Sequence, residues 1–350
     1  MGRFISQIHL QMKILVTGGL GFIGSHTVVE LVNAGYDPVI VDDLSNSNIK
    51  ILDQLARIIG YKPAFYQFDL CDEQAVKDFV AKEPEITGII HFAASKAVGE
   101  SVKLPLKYYR NNFFSLVNIL NAYEGKALNF VFSSSCTVYG QPDVLPVTED
   151  APVKAAQSPY GNTKQIAEEI LQDVIAAGSN YKIISLRYFN PVGAHETALI
   201  GELPIGVPQN LVPFITQAAI GKRDKITVFG DKYNTPDGSC IRDYIHVVDL
   251  GKAHVAALKL AEKESFKGYD VFNLGTGTGT SVLEVITAFE NATGVKLNYQ
   301  IGPAREGDVE QVWGDVTKST NELNWKTELD INVMMSSAWE WEKYLAQNPL

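Results

Sequence analysis

The sequence predicts an α/β protein in which a doubly wound parallel sheet is joined to a smaller, mixed α/β C-terminal domain. Two observations predict the sheet. Short apolar segments alternate with segments of helical periodicity over the first part of the chain, and a glycine-rich turn separates the first strand from the first helix. A third observation predicts the second domain, because the alternation gives way to a proline-rich stretch between residues 190 and 242.

Composition and charge narrow the function before any motif is considered. The 350 residues carry a formal net charge of -10, so they do not offer the broad positive surface that nucleic acids require. The three cysteines, Cys71, Cys136 and Cys240, form no C-x-x-C pair, and the six histidines lack metal-ligand spacing. There is no membrane-length apolar run or signal-peptide pattern. We therefore expect a cytoplasmic protein with no metal, nucleic-acid or membrane partner.

The first predicted elements are a strand, a glycine turn and a helix. Residues 1–11 precede them, and we expect an N-terminal extension there. The strand at residues 13–17 is followed by Gly18, Gly21 and Gly24 in a G-x-x-G-x-x-G pattern. Glycine lets the backbone come close to a pyrophosphate, and the helix N-terminus supplies amide donors to it. Because a strand precedes the pattern and a helix follows it, the pattern predicts dinucleotide binding.

Asp42 ends the second predicted strand, residues 39–42, and lies 18 residues after Gly24. A carboxylate at this place accepts hydrogen bonds from both ribose hydroxyls and repels a 2′-phosphate. No lysine or arginine follows it directly, because the next two residues are Asp43 and Leu44. We therefore predict NAD, rather than NADP, as the cofactor.

The alternation of strands and helices continues beyond Asp42. The predicted elements are strand 64–68, helix 72–82, strand 88–92, helix 105–123, strand 129–132, a helix from residue 159 toward 178, and strand 182–186. Ligands of such sheets bind beyond the carboxyl ends of the strands. We therefore expect the residues near those ends to converge on one site: Gly18, Asp69, Ala93, Ser135 and Arg187.

The segment from Ser158 to Lys164 predicts the start of a helix and a catalytic pair. Ser158 suits the N-cap and Pro159 the first helical position, while residues four apart, such as Tyr160 and Lys164, share one helix face. A neighbouring ammonium, a helix N-terminus and a cationic nicotinamide would each lower the pKa of the phenol from its usual value of about 10. Ser135 can hydrogen-bond the same reacting oxygen. Alternatively the segment is an ordinary surface helix, because Tyr-x-x-x-Lys alone is a weak pattern.

The rest of the sequence predicts a second domain that interrupts the first. A predicted helix at residues 247–263 and a predicted strand at 269–273 rejoin the sheet. The predicted NAD-binding domain therefore consists of residues 12–189 and 247–280, and the substrate domain of residues 190–246 and 281–346.

Two further features lie near or within the second domain. The glycines between Gly275 and Gly279 predict a turn between the domains rather than a second nucleotide site, because no acid-tipped strand follows at the right distance. We expect the tryptophans to pack the core of the smaller domain: Trp313, Trp325, Trp339 and Trp341.

With these motifs in view, the chain resembles the extended short-chain dehydrogenase/reductase family from about residue 12 to residue 341. Within that family it is most similar to members that epimerise UDP-hexoses. The resemblance is specific because it rests on many long segments in the same order. These are residues 16–19 with 24–26, 91–94 with 96–101, 132–135, 158–161, 187–194 and 242–247.

The resemblance implies a Rossmann-type fold and a cytoplasmic homodimer that epimerises C4 of a UDP-hexose reversibly, by transient hydride transfer to tightly bound NAD through a 4-keto intermediate. The implied catalytic residues are Tyr160, Lys164 and Ser135. The implied cofactor-binding residues are Gly18, Gly21, Phe22, Ile23, Gly24, Asp42, Asn46, Asp69, Leu70, Phe92, Ala93, Lys96, Asn111, Tyr160, Lys164 and Tyr188. The implied UDP-sugar-binding residues are Lys96, Ser135, Tyr160, Asn190, Asn210, Leu211, Phe229, Arg242, Tyr244, Arg305, Asp308 and Val312.

Three positions depart from the family pattern. Cys136 replaces a usual alanine, Asn162 replaces a frequent lysine, and Val312 lies at a pocket-lining position where some epimerases carry tyrosine. The short side chain of Val312 leaves room for an N-acetyl group on the sugar, unless it merely packs against Trp313 or a neighbouring loop. Family members that dehydrate nucleotide sugars carry an acidic pair where this chain has Cys136 and Thr137.

Two other functions stay open at this point. One is a nucleotide-sugar oxidoreductase with net redox output, which would release or consume NADH in step with sugar. The other is a non-catalytic NAD-sensing module, which predicts a damaged Ser135, Tyr160 and Lys164 set, whereas the set is intact.

Overall fold

The computed structural model describes residues 12–304 and 309–350, so the predicted extension at residues 1–11 lies outside it. Its strands, in chain order, are β1 (Lys13–Thr17), β2 (Asp37–Asp42), β3 (Ala64–Gln67), β4 (Ile86–His91), β5 (Leu128–Ser133), β6 (Tyr181–Tyr188), β7 (Asn190–Val192), β8 (Ile226–Phe229), β9 (Ile241–Arg242), β10 (Tyr244–His246), β11 (Gly268–Leu274), β12 (Thr280–Ser281), β13 (Tyr299–Gly302) and β14 (Gln311–Val312). Its helices are α1 (Phe22–Asn33), α2 (Lys50–Ile59), α3 (Glu73–Lys82), α4 (Val98–Lys103), α5 (Pro105–Ala122), α6 (Pro159–Ala176), α7 (Leu211–Ala219), α8 (Val247–Glu262), α9 (Val282–Thr293), α10 (Thr317–Glu322) and α11 (Ile331–Gln347), with a 3₁₀ turn at Cys136–Tyr139.

The central sheet has seven strands in the order β11-β6-β5-β4-β1-β2-β3, and every neighbouring pair runs parallel. The predicted doubly wound parallel sheet is confirmed. The chain reverses its direction across the sheet between β1 and β4, and ligands of open α/β sheets bind at such a switch point, beyond the carboxyl ends of the strands. The fold therefore defines where a site should lie.

Both faces of the sheet are buried. Alternate residues of β1 enter different cores: Ile14 and Val16 belong to the first core, beside residues of α1 and α8, and Leu15 belongs to the second core, beside residues of α3, α5 and α6. This is the two-residue period of a strand covered on both sides, which explains why the strands are continuous apolar runs in the sequence.

The smaller region is built from very short strands and from helices that include α7, α9 and α11. β9 lies between β12 and β14, β8 pairs with β13, and β7 pairs with β10. A third core lies between α7, α9 and α11 and includes Ile215, Val285, Phe289 and Met335. The predicted mixed α/β character of this region is therefore confirmed.

The tryptophans do not all pack this third core, so that prediction was wrong in part. Trp339 packs against it, but Trp325 and Trp341 are buried in the first core. Their indole groups find carbonyl acceptors there, since Trp325 Nε1 donates to Asp249 O at 3.0 Å and Trp341 Nε1 donates to Glu202 O at 2.8 Å. Helix α11 thus reaches both cores.

The loop after β11 is a turn that binds Asp243. The carboxylate accepts hydrogen bonds from the amides of Thr276 at 2.7 Å and Gly277 at 3.2 Å. A Cβ atom on Gly275 would lie 2.3 Å from Asp243 Oδ2. The glycines therefore serve this close contact, and the amides that a second nucleotide would need are already bonded.

Candidate active site

A cavity of about 1300 Å³ opens at the carboxyl ends of the sheet strands and is lined from both regions of the chain. It brings together most of the residues that the sequence predicts for one site. These are Gly18, Gly21, Phe22, Ile23, Gly24, Asp42, Asn46, Asp69, Leu70, Phe92, Ala93, Lys96, Asn111, Ser135, Tyr160, Lys164, Tyr188, Asn190, Asn210, Leu211, Arg242, Tyr244 and Val312.

Four expected residues are not placed in this lining. Phe229 ends β8 and is not among the described residues that line the cavity, and Arg305 and Asp308 lie outside the described residues. Arg187 was expected to converge with the strand ends, but its side chain points into the protein instead. It is 5 % exposed and forms an ion pair with Glu168 at 2.6 Å, because a buried guanidinium needs a charged partner.

The glycine turn packs its backbone tightly at the cofactor end of the cavity. Gly18 has a φ of +68°, and a Cβ atom there would lie 3.0 Å from Ala93 N. A Cβ atom on Gly24 would lie 2.3 Å from Gly18 O. Helix α1 begins after Gly21 with no side-chain cap and no acidic residue in its first turn. Its N-terminal amides therefore suit a ligand anion such as a pyrophosphate.

Asp42 ends β2 beside this turn and is buried. Its carboxylate accepts hydrogen bonds from Leu20 N at 3.0 Å, Leu44 N at 2.9 Å and Ser47 Oγ at 2.7 Å. Burial raises the pKa of this carboxyl, and the three hydrogen bonds oppose that shift. A carboxylate can accept about four hydrogen bonds, so Asp42 keeps acceptor capacity for a ribose hydroxyl. The residues at this end therefore fit an NAD molecule.

Helix α6 positions Tyr160 and Lys164. Ser158 is its N-cap, since its hydroxyl accepts from Gly161 N at 3.1 Å, and Pro159 is the first helical residue, as predicted. Lys164 Nζ lies 5.9 Å from the centroid of the Tyr160 ring. It donates to Ser133 O at 2.6 Å, at the end of β5. The predicted pairing of the two side chains on one helix face is therefore present.

The pKa of Tyr160 is not lowered by these neighbours. Burial raises it to about 12, and a hydrogen bond with Ser135 offsets only part of that rise. Burial also lowers the pKa of Lys164 to about 7, so the ammonium itself is weakly held near neutral pH. The phenol pKa of the protein alone is therefore raised rather than lowered as expected, because desolvation is the largest effect on Tyr160.

The Ser133–Ser135 segment fixes the opposite wall of this site. Ser133 Oγ and the Tyr188 hydroxyl share a hydrogen bond of 2.5 Å, and Ser135 Oγ accepts from Thr137 N at 3.2 Å. Cys136 also lines the cavity, and burial raises the pKa of its thiol to about 12. The wall therefore presents a hydroxyl, a phenol and a neutral thiol.

Short strands of the smaller region close the other end of the cavity. Arg242 in β9 pairs with Val312 in β14, and Tyr244 in β10 pairs with Asn190 in β7. Arg242 Nη1 is held by Ile241 O at 2.8 Å, which leaves its other donors for a ligand. Val312 packs in a small apolar cluster with Phe189 and also lines the cavity, so its role in substrate choice stays a prediction.

Glu202 contacts two residues of the cavity lining, and sequence analysis missed it. Its Oε1 atom accepts from Asn210 Nδ2 at 2.6 Å and lies 3.7 Å from Lys96 Nζ, and burial raises the pKa of its carboxyl. It therefore joins two lining residues from different regions. The proline-rich stretch around it has no periodicity from which this contact could be predicted.

Three buried histidines form hydrogen bonds within the fold. His91 hydrogen-bonds Thr17 Oγ1 at 2.9 Å, while His26 and His254 bond carbonyls of their own helices. Within the part of the chain that the structure describes, no group of acidic, histidine or cysteine residues could hold a metal ion. No described helix has the length and apolarity needed to cross a membrane.

Comparisons with known proteins agree with this geometry. A family model described as GDP-mannose 4,6 dehydratase matches residues 15–338, and with the parallel sheet and the Ser135, Tyr160 and Lys164 set it defines the class as an extended short-chain dehydrogenase/reductase. The UDP-glucose 4-epimerase of Yersinia pestis is 46 % identical over 97 % of this chain and 98 % of the relative. That of Dictyostelium discoideum is 48 % identical over 94 % of this chain and 95 % of the relative.

Solved structures give the same result. The UDP-glucose 4-epimerase of Stenotrophomonas maltophila, with bound NAD and formylated UDP-arabinopyranose, superposes with a TM-score of 0.93 at 44 % identity, covering 96 % of this chain and 99 % of that one. The enzyme of Bifidobacterium longum, in complex with NAD+ and UDP, has a TM-score of 0.89 at 45 % identity, with 96 % and 99 % covered. The chain belongs to the UDP-glucose 4-epimerase family.

Proposed function

We propose that this chain catalyses the reversible C4 epimerisation of a UDP-hexose, interconverting UDP-glucose and UDP-galactose with tightly held NAD. One observation carries the proposal. A single cavity joins the glycine turn and Asp42 to the Ser135, Tyr160 and Lys164 set and to Arg242 and its neighbours. A dinucleotide, a proton-transfer group and a sugar nucleotide can therefore meet in one enclosed space, as the family requires.

The cofactor end uses the backbone amides at the start of α1 for the pyrophosphate and the Asp42 carboxylate for the adenosine ribose. NAD, when bound, supplies the acceptor that takes hydride from C4 of the sugar and gives it back to the other face. The protein prefers NAD to NADP because Asp42, Asp43 and Asp69 make this end of the lining acidic, and a 2′-phosphate would be repelled there.

Tyr160 is the proton-transfer group. Its phenolate takes the proton of the C4 hydroxyl, and the phenol that this forms returns a proton when the 4-keto sugar is reduced. Burial raises the pKa of the Tyr160 phenol to about 12, so the phenolate forms only if positive charge in the cavity stabilises it. The Lys164 ammonium and an oxidised nicotinamide would provide that charge. Ser135 hydrogen-bonds the same oxygen and holds it in place.

The sugar-nucleotide end uses side chains from the smaller region. Arg242 can bind a diphosphate through charge-assisted hydrogen bonds while the chain as a whole stays acidic. Asn190, Asn210 and Tyr244 supply further polar groups around it. The division into an NAD-binding part (12–189 and 247–280) and a UDP-sugar part (190–246 and 281–346) is supported by the membership of β11 in the central sheet.

A dehydratase activity, to which the name of the matching family model points, is disfavoured by the wall beside Ser135. Removal of a hydroxyl needs an acid there, but Cys136 and Thr137 stand in that place, and a thiol with a pKa of about 12 is a poor acid. The acidic side chains among the described lining residues lie at the end of β2 and after β2, β3 and β4 instead: Asp42, Asp43, Asp69 and Glu100.

We also propose that the chain acts as a homodimer in the cytoplasm. Helices α4 and α5 carry exposed apolar side chains, with Val102 62 %, Leu106 80 % and Phe114 50 % exposed, and such a patch favours burial against a second copy. The three cysteines are free thiols, which suits a reducing compartment. Light scattering tests the dimer: Leu106→Lys should yield monomers, whereas Val144→Lys, on an exposed loop valine, should leave dimers intact. Native monomers would contradict the proposal.

Incubation of the purified protein with UDP-galactose, without added NAD, tests the function. The expected product is UDP-glucose, formed with no net change in nicotinamide absorbance. A net oxidoreductase would instead need NAD in proportion to product, and a sensing module would form no product.

Tyr160→Phe should lower kcat by about 100-fold or more, because the proton-transfer group is lost. The matched control is Tyr109→Phe, a tyrosine of α5 whose hydroxyl only accepts from Asn162 Nδ2 at 2.8 Å. It should keep native turnover. Native turnover in a folded Tyr160→Phe protein would contradict the assigned role.

A further inference from the structure

A buried ionic cluster lies directly behind the wall that carries Ser135 and Lys164. Glu168 is 3 % exposed and Arg187 is 5 % exposed. Arg187 donates twice to the Glu168 carboxylate, from Nε at 3.0 Å and from Nη2 at 2.6 Å. Neither side chain lines the cavity among the described residues, so the reaction as proposed above does not use them.

The cluster reaches the catalytic wall through Ser134. The Ser134 hydroxyl donates to Glu168 Oε1 at 2.5 Å, and its backbone amide donates to Leu186 O at 2.9 Å. On one side of it, Ser133 O accepts from Lys164 Nζ at 2.6 Å, and on the other Ser135 lines the cavity together with Tyr160. Glu168 therefore holds the middle residue of a tripeptide whose first residue binds Lys164 and whose last residue lines the cavity with Tyr160.

The cluster is also anchored on its far side. Arg187 Nη1 donates to the Tyr139 hydroxyl at 3.0 Å and to Glu149 O at 3.2 Å, and the Tyr139 hydroxyl donates to Asn273 Oδ1 at 2.7 Å. These partners come from separate segments, so Glu168 has little freedom to move. A side chain fixed in this way can transmit a defined position to Ser134.

We propose that Glu168 is a positioning residue for the epimerase reaction, holding Ser134 and the Lys164 ammonium in register with Tyr160. This inference rests on the proposed function. Glu168 follows Lys164 by one helical turn on α6, so the carboxylate favours the charged form of the lysine from the protein side of the wall. Loss of the carboxylate should both loosen the tripeptide and weaken the hold on that charge.

The other groups that face Lys164 do not stabilise its charge as a carboxylate does. They are uncharged: Tyr160 on its own helix, Ser133 O on β5 and the neutral His91 ring on β4. The Arg187 charge on β6 is paired with Glu168. Burial lowers the pKa of Lys164 to about 7 and the Glu168 charge opposes this shift. Removal of Glu168 should therefore lower the pKa of Lys164 further.

The experiment compares Glu168→Gln, Ser134→Ala and the native holoenzyme. Glu168→Gln should lower kcat by up to about 100-fold with KM nearly unchanged, and it should move the alkaline limb of the pH profile of kcat about one pH unit lower. Ser134→Ala keeps the charge and removes only the tether, so it should lower kcat and leave the alkaline limb unmoved. If Glu168→Gln fails to fold, Ser134→Ala still tests whether the tether to Ser134 supports turnover.

The matched control is Glu342→Gln. Glu342 is also buried, at 4 % exposure, and accepts from Lys222 Nζ at 2.8 Å and Thr216 Oγ1 at 3.1 Å, but it lies on α11 away from the cavity lining. Glu342→Gln should have a lower free energy of unfolding than the native protein but the same kcat and the same pH profile of kcat. If Glu168→Gln behaves like this control, Glu168 is only structural and the inference is overturned.

A carbon NMR titration of lysine side chains supplies a readout that does not depend on turnover, with the Lys164 signal assigned by its loss in Lys164→Met. A lower Lys164 pKa in Glu168→Gln than in the native protein supports the inference, and an unchanged pKa overturns it. Failure of the native protein to convert UDP-galactose would refute the proposed function instead, and would leave this measurement intact.

Discussion

The two ends of the cavity are built in opposite ways. The cofactor end is made of tightly packed backbone from the end of β1 into the first turn of α1, where a Cβ atom on Gly24 would lie 2.3 Å from Gly18 O. The sugar end is made of side chains on two- and three-residue strands from distant parts of the chain, such as Arg242 and Val312. One end is thus specified by local sequence and tolerates almost no change, whereas the other is specified by tertiary contacts and can be altered in steps.

The largest expected effect lies at the backbone end. Gly24→Ala should abolish retention of NAD and with it epimerase activity, because the new methyl group has no room beside Gly18 O and the turn must open. The control is Gly99→Ala, at another lining glycine where an added methyl group would find open space, with no neighbouring atom within 4 Å. It should keep both properties. Nicotinamide absorbance of the purified proteins measures how much NAD each one retains. If Gly24→Ala retains as much NAD as the native protein, the cofactor end is not less tolerant of change than the sugar end.

A smaller effect is expected at Asp42, a side chain within the backbone end. Asp42→Ala should weaken NAD binding by about 10-fold to 100-fold, because hydrogen bonds to a charged group are lost. It should also reduce the ratio of the affinity for NAD to that for NADP, because the repulsion of a 2′-phosphate is lost. Calorimetric titration of the cofactor-free protein with both dinucleotides measures this. Asp42→Asn should keep part of the hydrogen bonding and lose the repulsion. Unchanged affinity and preference in Asp42→Ala would contradict the role of this carboxylate.

The smallest effect on overall activity is expected at the sugar end. The native protein should convert both UDP-galactose and UDP-N-acetylgalactosamine. Val312→Tyr should lower kcat/KM for UDP-N-acetylgalactosamine by about 10-fold or more and leave kcat/KM for UDP-galactose nearly unchanged. Val309→Tyr is the control, since Val309 also lines the cavity. A native protein that ignores the acetylated sugar, or a Val312→Tyr protein that converts both equally, would show that this residue is not the gate.

The same contrast explains how much could be predicted from the sequence. The strands of the central sheet and several of its helices were predicted to within a few residues, because both strand faces are buried and some helices carry a start signal, such as Asp72 for α3 and Ser158 for α6. Helix α2 was not predicted, although Leu52 and Leu55 recur at helical spacing and Gly60 ends it at a φ of +85°. That signal was present in the sequence.

Other features had no local signal. The two residues of β9 form a strand only because β12 and β14 lie on either side of it, and no pattern in two residues can predict that. The raised pKa of Tyr160 depends on how completely the folded chain buries it, which spacing along a helix does not reveal. Arg187 likewise lies at the expected strand end, but its partner Glu168 decides which way it points.

The reach of α11 into two cores also sets an order of events during synthesis. Met335 fills the third core, while Trp341, six residues further on, belongs to the first core. A ribosome that adds 5–20 residues per second needs about 20 to 70 s to reach that tryptophan. Helix α11 can therefore join the two cores only after nearly all of the chain before it has been made.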